Sequence, residues 1–305
     1  MYLFVSDIGG TNLRIALVDD KGIIHYKKKY STPKEPEELL KIVVGEFKEI
    51  WRKFKPKYGC VSVAGAVNEK EMVWLPNVFG ESWYNLKDSI QRSIGIDICC
   101  IDDRVAGILG EVWKGKAKDF KNVGYLIIGT GVGLGIMAEG KIIKGHQNVA
   151  GSVGWISLDS INFKIPGYRY PVTIENFISG PAILKRFKAS CGGILKNTNS
   201  IFELYDKTKD KCAQVIIKET SIVLGKLIAI IANILNPELI IFGGSIGKKW
   251  HHFKKEALRI FENESSPLVR NCHMEVSELG ENAQIIGCTK YILDQIRGSD
   301  DIVSI

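Results

Sequence analysis

The sequence of 305 residues lacks the features of exported and membrane-spanning proteins. Its N-terminus has no basic region ahead of a long apolar run, so we expect no secretory signal. The longest apolar stretch, Ile222 to Leu235, contains Lys226 and is too short to span a bilayer, which favours a buried helix. We therefore expect a cytoplasmic protein without a membrane partner.

Cysteine is infrequent and irregularly spaced. The seven cysteines are Cys60, Cys99, Cys100, Cys191, Cys212, Cys272 and Cys288. They form no CxxC pair and show no spacing typical of a metal site. An odd number of cysteines in a chain without an export signal is typical of the cytoplasm, so we expect reduced thiols.

Two common nucleotide-binding motifs are also missing. No GxxxxGK[ST] segment is present, which excludes a P-loop. The glycine-rich turns do not fit the GxGxxG dinucleotide pattern either, because the segments that follow the first two predict strands rather than helices. These absences count against P-loop kinases and dehydrogenases.

Nothing in the charge pattern indicates a nucleic-acid partner. The net charge is +7, but the lysines lie in short scattered runs. Such runs usually form a solvated face, and we favour that interpretation over a nucleic-acid patch. No helix-turn-helix precedes the first predicted strand, and no platform of aromatic and basic residues is visible.

What the sequence does contain is one pattern used twice. Residues 4–24 predict a strand, a tight Gly/Thr turn, a second strand, a polar turn and a third strand, and residues 125–143 repeat this order. Two such turns offer facing groups of backbone N–H donors, which suit a polyphosphate. The pattern predicts a nucleotide site in a cleft between two related halves, whereas a single copy would indicate only a hairpin turn.

Three glycine-rich turns supply the candidate nucleotide-binding residues. They are Asp7, Gly9, Gly10, Thr11 and Asn12 in the first turn, Gly129, Thr130, Gly131 and Gly133 in the second, and Gly243, Gly244 and Ser245 in the third. Glycine lets a phosphate approach the backbone, and Asp7 is a candidate to hold Mg²⁺ through water. The third turn either passes beneath an adenine or ribose or simply starts a helix.

The remaining pattern predicts an α/β chain. The predicted elements are strands in 2–30, a helix at 38–54, a strand at 58–67, a helix at 86–94, an extended segment at 96–101, a helix from 103 through 111, strands in 123–143, helices in 175–236, a strand at 239–242 and a final αβα unit at 250–297. We predict a small N-terminal lobe, residues 1–105, which the C-terminal helix 288–305 can join, and a large lobe, residues 106–287.

Two adjacent acids, Asp102 and Asp103, come at a predicted strand end just before a helix. An acid there is often only a helix cap, worth about 1 kcal/mol. Phosphoryl transfer to an alcohol also requires a carboxylate that accepts the hydroxyl proton. Neighbouring acids raise each other's proton affinity, which favours the role of base.

Taken together, these segments resemble the ROK family of sugar kinases and repressors along most of the chain. The resembling segments are Asp7 to Asn12, Leu75-Pro76-Asn77, Ile101 to Glu111, Ile128 to Gly135, Glu175 to Pro181, Leu239 to Ser245 and Leu279 to Gly287. The resemblance implies the duplicated actin-like ATPase (ribonuclease H-like) fold, with two lobes and a nucleotide and sugar cleft between them.

The resemblance also implies an activity: ATP-dependent phosphorylation of a hexose hydroxyl, as in glucokinases and hexokinases, with Mg²⁺. Asp103 falls on the family's catalytic base, and the residues that would contact the monosaccharide are Gly65, Asn77, Asp103, Ser152, Trp155 and Glu175. A homodimer is a further implication. The alternatives are an N-acetylhexosamine or fructose kinase of the same family, or a non-catalytic protein that senses sugar or nucleotide.

Four positions depart from the family pattern. Ser152 and Trp155 replace a sugar-binding Glu and a zinc-ligating His, and the Cys-rich zinc loop is missing from residues 156–174, so we expect no structural zinc. Asp102 and Arg104 replace the Asn and Ala that usually flank the catalytic acid. Trp155 either stacks on a sugar face or fills the core where the zinc site was lost, and the second interpretation is slightly favoured.

Overall fold

The computed structural model describes residues 1–158, 172–192 and 195–298, and for Asn77 the backbone only. Its strands are β1 (Tyr2–Ile8), β2 (Asn12–Asp19), β3 (Ile24–Ser31), β4 (Tyr58–Val63), β5 (Ala66–Val67), β6 (Val73–Trp74), β7 (Trp83–Tyr84), β8 (Asp97–Asp102), β9 (Val123–Ile128), β10 (Val132–Ala138), β11 (Lys141–Ile142), β12 (Leu239–Gly243) and β13 (His273–Val276). Its helices are α1 (Pro36–Phe54), α2 (Pro76–Phe79), α3 (Leu86–Ile94), α4 (Asp103–Lys114), α5 (Glu175–Ile178), α6 (Gly180–Cys191), α7 (Asn199–Thr208), α8 (Lys211–Leu235), α9 (Gly244–Gly247), α10 (Trp250–Glu264) and α11 (Ala283–Arg297).

The first five-stranded sheet has the order β3-β2-β1-β4-β8. The chain forms an antiparallel meander through β1, β2 and β3, and then adds β4 and β8 parallel to β1. The carboxyl ends of three parallel strands therefore lie at one edge. In open α/β sheets this edge is where ligands bind.

The second five-stranded sheet repeats that order as β11-β10-β9-β12-β13. Again a meander comes first, and two parallel strands follow on its other side. Helices α4 and α11 come after the last strand of each copy. The duplication predicted from the two Gly/Thr turns is confirmed at the level of strand order.

The described residues group into two compact units. The first comprises those of Met1–Tyr125, Gly135–Gly151 and Ser277–Ile305. In it, one face of the first sheet packs on α1 and α3 through a core that includes Phe4, Phe47 and Ile90. The other face packs on α4 and α11, where Ala106 and Ile285 are buried beside the strands.

The second unit comprises the described residues of Leu126–Leu134 and Ser152–Val276. Its longest helix is α8, of which 13 residues are buried. The apolar run from Ile222 to Leu235 lies in this helix, as predicted from the sequence. No helix in the described part of the chain is long and apolar enough to cross a membrane.

A disulfide joins Cys191, the last residue of α6, to Cys212 near the start of α8, with 6.0 Å between the Cα atoms. The prediction that the cysteines are reduced is therefore wrong for this pair. Spacing could not reveal it, because α6 and α8 bring together two residues that are 21 positions apart. The other five cysteines are free.

The predicted elements are present with small shifts, and one prediction fails. The strand expected over 58–67 is split into β4 and β5, which belong to different sheets. The split occurs at Ala64 and Gly65. A Cβ atom on Gly65 would lie only 2.0 Å from the carbonyl oxygen of Trp74, so the chain can turn there only with glycine.

Candidate functional site

The first Gly/Thr turn connects β1 and β2 at the carboxyl edge of the first sheet. Its backbone is closed by a hydrogen bond from the Gly9 N–H to the Asn12 carbonyl oxygen (2.9 Å). Thr32, after β3, donates from its hydroxyl to the Gly9 carbonyl (2.6 Å) and from its N–H to the Thr11 carbonyl (2.9 Å). Gly10 and Asn12 remain partly accessible and Thr11 is exposed. The turn is thus held rigid from behind while its tip faces outward.

Asp7 lies at the end of β1, just before this turn, and is buried. Arg14 Nη1 donates to one carboxylate oxygen (2.8 Å), and Ser62 Oγ donates to the other (2.7 Å). Burial raises the pKa of Asp7, and the Arg14 charge opposes the rise. Neither partner was predicted from the sequence, although each is the register neighbour of Asp7 on an adjacent strand.

The two adjacent acids have different surroundings. Asp102 is buried and caps α4: its Oδ1 accepts from the N–H groups of Arg104 and Val105 (both 3.1 Å) and from Arg104 Nε (3.0 Å). Asp103, the first residue of α4, keeps partial solvent access and forms no ion pair with any residue that the structure describes. The cap and the candidate base are therefore separate residues.

The surroundings of Asp103 favour its neutral form. Burial raises the pKa of Asp103 to about 8; the Arg104 charge opposes this rise, and the Asp102 and Asp7 charges add to it. The direction that sequence analysis expected from the adjacent acids is present, but burial is the larger cause. A carboxyl group with a pKa near neutrality is suited to accept a proton.

The two sugar-site candidates nearest in sequence to β4 lie in the same unit as Asp103. Gly65 lies two residues after the end of β4, so it is near the carboxyl edge of the first sheet. Asn77 belongs to the short helix α2, and its side chain lies outside the described residues.

In the second unit three segments meet around the second Gly/Thr turn. The turn is closed by a hydrogen bond from the Gly129 N–H to the Gly131 carbonyl (2.9 Å). The Gly180 N–H, at the start of α6, donates to the Gly129 carbonyl (2.8 Å). A Cβ atom on Gly244 would lie 2.4 Å from the Ile128 carbonyl, and Gly244 has a φ of +79°, so glycine is required there. The third turn starts α9, as one of its two interpretations proposed.

Glu175 is the acid closest to this turn among the residues that the structure describes. One of its oxygens accepts from the Val132 N–H (2.8 Å), and a Cβ atom on Gly131 would lie 2.8 Å from the same oxygen. Burial raises the pKa of Glu175, and the Val132 hydrogen bond opposes the rise. Gly133, one residue further along β10, is buried. Glu175 therefore holds the second turn as well as being a sugar-site candidate.

Ser152 precedes the short 3₁₀ helix Val153–Trp155, and Trp155 is its last residue. The side chain of Trp155 is 70% exposed. The interpretation in which Trp155 fills the core is therefore wrong, because an exposed indole replaces no core volume. Most of the segment 156–174, where sequence analysis noted that a zinc loop is missing, lies outside the described residues.

Asp7 is the acid of the first unit that is a candidate to hold Mg²⁺. Each Asp7 oxygen already accepts one hydrogen bond and keeps a second lone pair, and the Arg14 guanidinium lies beside it. A hydrated ion that contacts Asp7 through water fits this arrangement, whereas direct coordination next to a guanidinium does not. Across the described ranges, no group of three or more His, Cys, Asp or Glu residues is arranged to hold a metal.

Comparison with known proteins gives consistent matches. The sequence model of the ROK family matches residues 5–295. A glucokinase of Halalkalibacterium halodurans is 27% identical over 311 residues, which cover 92% of each chain. An N-acetylmannosamine kinase of Escherichia coli is 29% identical over 254 residues, 81% of this chain and 84% of the relative.

Among solved structures, a ROK family glucokinase from Streptomyces griseus in complex with glucose and AMPPNP superposes with a TM-score of 0.83. The match covers 95% of this chain and 99% of that one at 21% identity, so it shows the fold alone. The duplicated sheets and the family match agree. The chain belongs to the ROK family and has its actin-like ATPase fold.

Proposed function

We propose that the protein is an ATP-dependent sugar kinase, and the observation that carries the proposal is the state of Asp103. This carboxyl group is partly accessible, unpaired among the described residues and raised in pKa to about 8, at a sheet edge where a glycine turn leaves backbone donors open. A family whose relatives bear kinase names supports the same chemistry.

In the proposed reaction Asp103 accepts the proton of a sugar hydroxyl. The hydroxyl oxygen forms a bond to the γ-phosphorus in line, and the bond to the bridging oxygen of ADP breaks. Backbone donors of the two Gly/Thr turns stabilise the phosphate charge, and the third turn lies against the adenosine. Asp7 would hold Mg²⁺ through water, and the ion would supply further charge neutralisation.

The acceptor in this proposal is a hexose whose hydroxyls contact Asn77, Asp103 and Glu175, with the Gly65 backbone lining the pocket. Ser152 makes a weaker contact than the Glu that is usual in the family. The exposed face of Trp155 offers a stacking surface for a sugar ring. N-acetylhexosamines and ketoses are the alternative acceptors.

The acceptor class is tested by a coupled ADP-release assay with Mg²⁺·ATP over a panel of hexoses, N-acetylhexosamines and ketoses. We expect at least one sugar to support turnover. Sugar binding without ADP release for every member of the panel would instead favour the non-catalytic sensor.

The role of Asp103 is tested by Asp103→Asn. We expect a loss of turnover of at least about 100-fold with sugar affinity retained, because the amide cannot take the proton. Asp97→Asn, at the exposed start of β8, the strand that precedes α4, is the matched control and should leave turnover unchanged. Near-normal turnover in Asp103→Asn would eliminate the mechanism.

A further inference from the structure

A buried ion pair brackets the candidate base in the sequence. Asp102 and Arg104 are 5% and 7% exposed, and Arg104 Nε lies 3.0 Å from Asp102 Oδ1. The same oxygen accepts hydrogen bonds from the backbone N–H groups of Arg104 and Val105 in the first turn of α4. Arg104 Nη1 also lies 3.5 Å from the Val149 carbonyl oxygen. The guanidinium of Arg104 thus connects the cap of α4 to the segment after β11.

The backbone of Arg104 is fixed as well. A Cβ atom on Gly135 would lie 2.4 Å from the Arg104 carbonyl oxygen, so β10 packs directly against this turn. Asp103 lies between the two members of the pair in the sequence, so the contacts of Asp102 and Arg104 fix its backbone in the first turn of α4.

We propose that Arg104 is a positioning residue for phosphoryl transfer: through Asp102 it holds the first turn of α4, which carries Asp103, and its charge offsets the Asp102 charge beside Asp103. The proposal rests on the proposed function. Asp102 and Arg104 both depart from the usual family pattern. The negative charge at 102 and the positive charge at 104 compensate each other within one turn.

The charges around the pair agree with this role. Arg104 is the cation that lowers the pKa of Asp103, whereas Asp102 and, from β1, Asp7 raise it. Asp7 is itself paired with Arg14. On the other side, Lys144 faces Asp102 from the segment after β11, above the Tyr291 ring of α11.

Removing Arg104 and removing Asp102 should therefore shift the pKa of Asp103 in opposite directions. Arg104→Ala removes the opposing cation and leaves the Asp102 charge unbalanced, so Asp103 is protonated more readily. Asp102→Asn removes the adjacent anion, so Asp103 ionises more readily. The double variant Asp102→Asn/Arg104→Ala removes both charges and should return close to the parent protein.

The test is the pH dependence of kcat/KM for all four proteins, with the best sugar of the panel. We expect the midpoint of the acid limb to be lowest in Asp102→Asn, intermediate in the parent and the double variant, and highest in Arg104→Ala. At pH 7 the Arg104→Ala value should fall roughly tenfold, which corresponds to one pKa unit, and Arg104→Lys should recover part of it. Arg259→Met, which breaks an exposed pair with Glu256, is the control and should not shift the limb.

The ¹³C resonance of the Asp103 carboxyl, titrated without substrates, gives the same order of midpoints independently of turnover. Equal midpoints in the four proteins would overturn the proposal, even where Arg104→Ala melts at a lower temperature. If Arg104→Ala does not fold, the order of the midpoints in the parent, Asp102→Asn and the double variant still tests the proposal. Absence of turnover in the parent counts against the proposed function, while the resonance order tests the positioning role separately.

Discussion

At the scale of single residues, one peptide bond separates a structural acid from a candidate catalytic one. Asp102 receives three hydrogen bonds on one oxygen and serves as the cap of α4. For Asp103 a backbone hydrogen bond from Arg104 only partly opposes the effect of burial, which raises its pKa to about 8. Asp102 therefore serves as the helix cap, while burial disfavours the ionised form of Asp103, so cap and candidate base are separate residues.

This difference predicts how stability depends on pH. Asp103 binds its proton more tightly in the folded chain, with a pKa of about 8 against 3.8 for the ordinary group, so its cost to folding appears as pH rises from 4 to 8 and is complete above 8. Asp103→Asn should therefore stabilise the protein, by at least about 1 kcal/mol more at pH 9 than at pH 5.

Urea denaturation of both proteins at the two pH values measures this difference. The exposed Asp97→Asn variant should show no pH-dependent change and serves as the control. A stabilisation by Asp103→Asn that is equal at pH 5 and pH 9 would show that folding does not raise the pKa of Asp103.

Sequence patterns identified the reactive candidates but not their partners. Asp7 and Asp103 were predicted because an acid at a strand end beside a glycine turn or a helix start has a chemical reason. Arg14 and Ser62 were missed because their relevance depends on strand register, Asp7 opposite Arg14 on β2 and opposite Ser62 on β4. Register is set by turn length and packing over the whole sheet, which local spacing does not show.

At the scale of elements, α4 is positioned by close helix contacts that only glycine permits. A Cβ atom on Gly287 of α11 would lie 1.6 Å from the Ala106 carbonyl oxygen of α4. A Cβ atom on Gly110 of α4 would lie 2.2 Å from the Ala283 carbonyl oxygen of α11. Because α4 begins with Asp103, the approach of these two helices also sets where the candidate base lies.

We therefore predict that Gly287→Ala destabilises the protein by about 3 kcal/mol, because the backbone of α4 has to move away. The same variant should lower kcat with a smaller effect on sugar KM, since Asp103 moves with α4. Gly45→Ala in α1 is the matched control: no atom lies within 4 Å of its added Cβ, and alanine should stabilise that helix by up to about 1 kcal/mol.

Thermal and urea unfolding of both glycine variants, together with steady-state kinetics, decide this prediction. Equal stability of Gly287→Ala and the parent would mean that the two helices are not packed at the distance described.

The elements themselves were largely predictable because their signals are local. Alternation over 2–30 and a helical apolar face over 38–54 correspond to β1 to β3 and to α1. The single strand expected over 58–67 failed at Gly65, where a tertiary contact with Trp74 turns the chain. Such a contact between residues from different strands has no signature in a short window of sequence.

At the scale of the whole molecule, the fold is one plan used twice. Both five-stranded sheets place a meander beside two parallel strands and end in a helix, α4 or α11. The copies differ most after the meander: α1 alone precedes β4, while the helices α5 to α8 precede β12 in the part of the chain that the structure describes. A duplicated phosphate turn is readable from sequence because both copies keep Gly and Thr, whereas inserted helices obscure the rest of the repeat.

Within the larger helical insertion, the Cys191–Cys212 disulfide closes a loop of 21 residues between α6 and α8, and it should contribute to global stability. Loop-closure entropy for this length predicts a loss of about 3 kcal/mol when the bond is removed. We expect Cys212→Ser to lower the melting temperature and to match the parent protein in a thiol reductant. Cys272→Ser, at a free cysteine, is the control and should still respond to reductant. Thiol labelling of the denatured, unreduced parent should modify five cysteines; labelling of all seven, with no effect of reductant on melting, would show that the bond does not form in solution.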